Sequence, residues 1–473
     1  MCLCVWKEDV LEKLTSSLMK AVLQEIHRDR DGESGDLGMV RDTVFSLIEV
    51  EEYAKTTSLR YYQTVFEAPF LAETKEYYLH TASKLVSEME VSEYMQEVVE
   101  TMKTARRRGQ RFLHPTSITK FTRECEARLV EDYQNSYLYS QLQPMVQEER
   151  RQDLKNIFHL LNGIPRALDP LLDKFEERIK SQGLAAVRPW NTDKDKATSG
   201  NVVEFMGAVM GVHSHYHQLI SDLFSSHKLF FSALDRGCRV FVNAQENHTH
   251  QPRAPILLAR YCDQLLRKSS KGVGEQEVED RLEEVITVFR YLDDKDVFQR
   301  FYSRMLARRL MQSLSVSMEM EEGMIQRLKH ACGFEYVARL QRMVVDMKLS
   351  EDCMASFQEH LSISSSSLPL AFTTLVLQSA AWPFSKPTGN FNVPPQMLSV
   401  IEKFERFYET KYTGRKLSWL YHMSLGDLRL NYLKKQYTVS ATTHQMAYCW
   451  LSTPLNNTPS APCYSTLDWT TKR

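Results

Sequence analysis

The sequence predicts a mainly α-helical fold, an array of helices followed by a four-helix bundle and a small α/β domain. Three observations predict it. Glycine and proline are sparse, at 17 and 16 of 473 residues, while Leu, Glu, Lys, Arg and Met abound, which favours helix over sandwich or barrel. Apolar residues recur at i, i+3, i+4, i+7 through most of the chain and turn to period two only after the serine run ending at Ser367. The length exceeds what one core can fill and suggests about three domains, or a repeat array with a globular end.

The first stripe, Val5, Val10, Leu14, Leu18, Val22 and Ile26, is helical, and the charged, glycine-bearing run Arg28 to Asp36 breaks it. Met1 lies almost inside this helix, so the chain is expected to begin within a larger fold. Further helices are expected at Val40 to Tyr53, Leu59 to Val86, Tyr94 to Phe112, Ile118 to Leu138, Arg150 to Leu161, Ala167 to Gln182, Val202 to Phe224 and Leu229 to Asn243. Polar linkers are expected at Pro189 to Gly200 and Ala244 to Pro252. No self-similarity at a period of 20 to 50 residues stands out, so periodicity alone does not establish repeats.

Leu257 to Leu266 opens the bundle. Val278, Leu282, Val285, Ile286, Phe289 and Leu292 form its second stripe, and Asp293 and Asp294 can cap the next helix. There Val297, Phe298, Phe301, Tyr302, Met305, Leu306 and Leu310 face the core; Arg304, Arg308 and Arg309 are read as the outer face. Met324 to Met347 is expected as the last helix, short connections completing a bundle over residues 255–361.

Over residues 368–447 the pattern is α/β. Ala371 to Gln378 is a short apolar run; Leu417, Trp419, Tyr421 and Met423 alternate with polar neighbours; Ser424 to Asp427 reads as a turn between strands; Leu428 to Tyr432 and Tyr437 to Val439 alternate again around a turn at Lys434 to Gln436. A helix at Gln396 to Tyr408 can cover that sheet, and Thr442 to Ala447 starts another. From Tyr448 to Arg473, prolines, Ser, Thr and Asn without periodicity predict disorder.

With 59 Lys plus Arg against 60 Asp plus Glu, no global field draws the chain to nucleic acid or an acidic membrane. Nine cysteines without repeated spacing argue against a disulfide framework, and neither a membrane span nor a signal peptide is evident. A cytoplasmic and nuclear location follows as the expectation. No phosphate-binding loop, dinucleotide fingerprint, nucleophile elbow or His-Glu-x-x-His motif occurs. His213 and His217 share a helix face at i, i+4, but with no acid or Cys beside them they supply only half a zinc set. A metal-dependent hydrolase is therefore the minor alternative, and neither metal nor cofactor is expected. The cluster Arg106 to Arg111 reads as cations offsetting a helix dipole.

Five runs carry a resemblance: FEAPFLAETKEYY from Phe66, LARYCDQLLRKSSK from Leu258, DKDVFQRFYSRMLARRL from Asp294, LKHACGFEY from Leu328 and GRKLSWLY from Gly414. The chain resembles the cullins, scaffolds of multisubunit RING-type ubiquitin ligases, and the first run leans toward the branch that uses elongin-type adaptors. The resemblance implies an α-solenoid of cullin repeats over residues 1–130 and 131–250, ahead of the bundle. It implies a non-catalytic scaffold whose α/β domain takes a strand from a RING-box protein at Phe372, Leu375, Leu377, Trp382, Leu417, Trp419 and Tyr421. Arg267, Lys268 and Lys271 would belong to a groove attracting a ubiquitin-conjugating enzyme. Compared with the family, the chain is expected to be truncated at both ends. Adaptor binding would then be lost and the lysine that accepts a ubiquitin-like modifier absent, making a non-functional or competing isoform the alternative within the family.

Overall fold

The helical stripes become helices in the computed structural model, which describes residues 12–33, 35–53, 59–192, 202–244, 253–268, 274–364, 367–384, 391–430, 435, 437–452 and 469–470. The chain divides into two units, residues 1–185 with 211–241 and residues 186–210 with 242–473.

Helices α1 (Glu12–Arg30), α2 (Leu37–Tyr53), α3 (Ala68–Glu88), α4 (Val91–Phe112), α5 (Pro115–Glu126), α6 (Leu142–Gln147) and α7 (Arg151–Leu161) build the first unit, with most of α8 (Asp169–Thr192), α9 (Val202–Leu223) and α10 (Lys228–Val242). The start of the first expected stripe, through residue 11, lies outside the described residues, as do 193–200 and 245–252 of the expected linkers. The helix expected to end at Gln182 continues through Pro189 to Thr192. Trp190 explains this: its ring is buried against Phe205, with centroids 5.8 Å apart, and its carbonyl accepts from Arg253 Nη1 at 2.5 Å.

Pro69 lacks the N–H that would serve the carbonyl four residues back, and the turn before it, Gln63–Glu67, opens into a π-helix. That turn carries Glu67 inward, where Ser117 Oγ (2.7 Å) and Lys120 Nζ (2.9 Å) donate to it, so the buried carboxylate is satisfied. Around Phe70 the rings of Phe66, Phe112 and Phe121 lie with centroids 5.4 to 5.7 Å away, the aromatic core of the early helices. Glycine sets a second contact. A Cβ on Gly183 would stand 2.0 Å from Phe241, and one on Gly237 would stand 2.7 Å from Ile179, so α8 and α10 approach through two reciprocal knobs and holes one helical turn apart.

The second unit holds α11 (Arg253–Leu265), α12 (Glu275–Tyr291), α13 (Lys295–Met311), α14 (Met318–Cys332) and α15 (Phe334–Ile363). α11 packs on α12 and α13, α14 on α15, and α13 on α15. The stretch Met324 to Met347, expected as one helix, is two. Gly333, at φ +86°, turns the chain out of α14, and α15 then runs 30 residues. Asp294 takes the cap position of α13, but its carbonyl rather than its side chain receives the first amides, from Val297 (3.2 Å) and Phe298 (3.5 Å). Arg304 and Arg308 are exposed as expected, whereas Arg309 is 0% exposed, a correction of the outer-face reading. Carboxylates from two other helices make its burial possible. Glu321 accepts from Nε (2.8 Å) and Nη2 (2.9 Å), and Asp263 accepts from Nη1 (2.6 Å).

Helix α16 (Pro395–Lys411) leads to β1 (Leu425–Leu430), β2 (Tyr437–Thr442), α17 (Thr443–Ser452) and β3 (Trp469–Thr470). The sheet is antiparallel in the order β2-β1-β3, with Leu425 opposite Thr442, Leu430 opposite Tyr437 and Asp427 opposite Thr470. Ser424 to Asp427, expected as a turn, instead enters β1. Thr443 N and Oγ1 both donate to the Ser424 carbonyl, at 3.1 and 3.2 Å, and draw that end of the chain into pairing. The turn falls earlier, at the 3-10 segment Tyr421–Met423, which interrupts the strand expected from Leu417 to Met423, and residues 417–420 join no ladder among the described residues. The turn expected at Lys434 to Gln436 lies outside the described residues except for a bend at Lys435. α17 runs past Ala447 to Ser452, and residues 453–468 and 471–473 of the expected disordered tail lie outside the described residues.

Candidate partner-binding site

The run Ala371 to Gln378 reads as a strand in the sequence; Ala371 forms a bridge, and from Phe372 onward the run lies in no ladder among the described residues. Side chains of α15 occupy the place of one neighbouring strand. Val376 N donates to Ser350 Oγ (2.9 Å), and the same hydroxyl lies 2.9 Å from the Val376 carbonyl. Gln378 N donates to Asp346 Oδ2 (2.8 Å), which also accepts from Trp382 Nε1 (2.9 Å). In an extended chain the main-chain groups of alternate residues point to opposite edges. Val376 and Gln378, two apart, both bond to α15, so the main-chain groups of Leu375 and Leu377 point away from it, toward an edge that is open at these two residues among the described residues.

Below this edge lies an aromatic floor. Phe404 of α16 stands 5.8 Å from Phe372 and 6.2 Å from Trp419, and Trp419 stacks on Tyr421 at 6.4 Å. Trp419 is fixed by a 2.6 Å hydrogen bond from Nε1 to Glu405 Oε1. Phe372, Val376, Leu417 and Trp419 all pack on the core of Cys353, Met354, Phe357, Phe404 and Tyr408.

Of the seven residues proposed for this surface, the structure thus brings Phe372, Leu417, Trp419 and Tyr421 together. Leu375 and Leu377 are half-buried at the alternate positions, and Trp382 is buried, its indole turned to Asp346 and stacked on Phe384 at 5.4 Å. Sequence reasoning missed Asp346, Ser350 and Val376. The first two carried a signal, two small polar residues at i, i+4 inside the apolar stripe of a helix, positions that burial permits only with hydrogen-bond partners.

The second candidate surface is basic. Leu266 to Lys268 pairs with the loop after α13, Lys268 N donating to the Leu314 carbonyl (2.8 Å) and Val316 N to that of Leu266 (2.9 Å). Lys268 is exposed, while Arg267 is half-buried and donates to Asp263 Oδ2 at 2.9 Å. Lys271 lies outside the described residues. Asp263 thus links the surface arginine to buried Arg309.

His213 and His217 lie with ring centroids 5.8 Å apart on α9. Burial, then the neighbouring His217, push His213 below the ordinary imidazole range. No group of three or more His, Cys, Asp or Glu able to hold a metal occurs among the described residues, and no described helix is long and apolar enough to cross a membrane. Cys125, Cys238 and Cys262 are buried, and burial lifts each thiol to about 12, which leaves none a nucleophile.

Comparison with known proteins agrees with these elements. Residues 1–354 match the family model described as the cullin alpha solenoid domain, and residues 376–452 the cullin alpha+beta domain. The chain is 34% identical over 475 aligned positions to Cullin-2 of Caenorhabditis elegans, with 94% of this chain and 59% of that protein covered. It is 34% identical over 459 positions to Cullin-1 of Dictyostelium discoideum (94% and 58%) and 33% identical over 463 to Cullin-1 of Caenorhabditis elegans (94% and 58%). It therefore spans a little under three-fifths of the length of these relatives. On a solenoid match covering most of the chain, an α/β match beyond it and identities above 30%, the chain belongs to the cullin family.

Proposed function

We propose that this cullin is a non-catalytic scaffold subunit of a RING-type ubiquitin ligase. It binds a RING-box protein through the α/β unit, receives a ubiquitin-conjugating enzyme with help from Arg267, Lys268 and Lys271, and promotes ubiquitin transfer by holding enzyme and substrate near each other. Proximity alone suffices for such a subunit, since tethering turns an encounter in solution into an intramolecular step. The observation that carries this reading is that α15 bonds Val376 and Gln378 but not Leu375 and Leu377, in a segment whose Phe372 joins the floor of Phe404 and Trp419. An incoming strand there gains main-chain hydrogen bonds and apolar pockets together. Co-expression of the chain with a RING-box protein, followed by affinity purification, tests it; a folded chain that retains none of that protein refutes it.

The run from Phe66 to Tyr78 supports the elongin-adaptor branch, while equal identity to Cullin-2 and Cullin-1 relatives does not separate the branches. A pull-down with elongin-type and Skp1-like adaptors tests both points: retention of one names the branch, and retention of neither fits the loss of adaptor binding that the resemblance implies. The function implies work in the cytoplasm and nucleus, which imaging of a fluorescent fusion checks.

A further inference from the structure

We infer that Arg415 and Lys416 form a cationic entrance to the open edge and select a partner strand that carries acidic side chains at one end. The inference rests on the strand-addition reading above. Gly414, at φ +81°, takes the left-handed turn that ends the α16 connection and starts the segment 415–420. Arg415 and Lys416 are therefore the first residues of the same segment that, with Leu417 and Trp419, lines the aromatic floor.

Both are exposed, and neither pairs with a carboxylate among the described residues. The acids nearby on α16 are in part engaged: Glu402 lies 3.7 Å from Arg406, and Glu405 accepts from Trp419. Glu409 remains as the local counter-charge. The guanidinium of Arg415 lies over the Tyr412 ring, 5.1 Å from its centroid, and Lys411 lies near the same ring at 5.6 Å. Stacking holds the Arg415 side chain down without using its N–H groups, which stay available to a carboxylate. Two exposed cations at the start of the segment that carries Leu417 and Trp419 to the floor suit one kind of occupant, an extended segment with apolar side chains along its length and Asp or Glu where it passes Arg415.

Fluorescence anisotropy on the full chain tests this with two labelled synthetic strands of alternating Val and Thr, one ending in Asp-Glu and the other in Lys-Lys. The acidic strand is expected to bind about ten-fold tighter, and the preference to vanish near 0.5 M salt, where charges at this distance are screened. In the variant Arg415→Glu with Lys416→Glu the preference reverses, and circular dichroism shows whether the variant keeps its fold. Arg415→Gln with Lys416→Gln abolishes the preference without reversing it. Equal binding of the two strands to the native chain overturns the cationic entrance and leaves strand addition standing. Binding of neither strand defeats the reading beneath it.

Discussion

Glu321 and Glu322 are neighbours on α14 with opposite surroundings, and substituting each in turn tests how the second unit is held together. Glu321 is 0% exposed and grips the equally buried Arg309 with both oxygens, at 2.8 and 2.9 Å, while also accepting from Ser315 Oγ at 2.8 Å. Burial alone disfavours the Arg309 cation, but the hydrogen bonds and charge of Glu321 outweigh it, so the group is held more strongly protonated than a free arginine. Glu321→Ala leaves that cation buried with Asp263 as its one remaining carboxylate among the described residues, a loss of about 3–5 kcal/mol by the behaviour of broken buried pairs. A domain is stable by about 5–15 kcal/mol, so the change is large. Glu322, exposed beside Lys348 at 2.6 Å, is the control: Glu322→Ala should leave the urea midpoint where it was. Urea unfolding followed by circular dichroism gives the midpoints, and hydrogen exchange at the Lys268 and Val316 amides reports on the loop that packs over the cluster. Arg309→Met with Glu321→Leu should recover most of the loss, because two apolar side chains replace the pair without stranding a charge. If Glu321→Ala moves the midpoint no further than Glu322→Ala, the ion cluster does not hold this unit and the reasoning fails.

Stability should also fall in mild acid. His213 is held below its ordinary value of 6.5, so the unfolded chain takes up the proton first; its contribution is whole above 6.5 and is lost as pH drops from there through the lower folded value, and His213→Gln should flatten that part of a pH-stability curve. Iodoacetamide at pH 8 should label exposed Cys449 in the native chain and reach Cys125, Cys238 and Cys262 only in denaturant, as peptide mass spectrometry will show; labelling of Cys262 without denaturant contradicts its burial. Gly183→Ala should destabilise by about 3 kcal/mol or more, because its Cβ meets the Phe241 ring at 2.0 Å. Gly333→Ala, with open space around it but angles of φ +86° and ψ 176° that almost only glycine adopts, should lose about 1–3 kcal/mol in thermal unfolding.

Helices were legible wherever a wide apolar stripe made tertiary burial the only outcome, as at Phe298, Tyr302, Leu306 and Leu310 on α13. Their ends were not, because an end depends on what the next residues touch. Pro189 reads as a terminator, yet Trp190 finds a pocket and carries α8 three residues beyond the proline. Gly333 sat inside a run whose apolar spacing continues on both sides, so periodicity saw one helix where a single left-handed residue makes two. Arg309 failed for a related reason. Charge predicts exposure, and the partners that reverse the prediction, Asp263 and Glu321, come from two other helices and are invisible to any local window.

The surface at Phe372 to Trp419 shows the same limit from the other side. Alternation at Leu417, Trp419 and Tyr421 is a true strand signal, but the chain enters a 3-10 turn at Tyr421, and among the described residues no second strand pairs with the segment before it. Here the mismatch between local pattern and observed pairing is itself informative. A segment with strand composition, an apolar floor and α15 side chains bonded to Val376 and Gln378 but not to Leu375 and Leu377 is suited to take a strand beside those two residues. Sequence placed the residues; only the structure could show that Val376 and Gln378 are spoken for by Ser350 and Asp346 while Leu375 and Leu377 face outward. That asymmetry makes Ser350→Ala a discriminating change. It loosens the inner edge of the segment without touching the outer one, so it should weaken capture of a RING-box protein only if the segment must be held straight to accept a strand. Unchanged retention in Ser350→Ala beside clear loss in Leu375→Pro, which removes an outer-edge donor, would place the binding energy in the open edge alone.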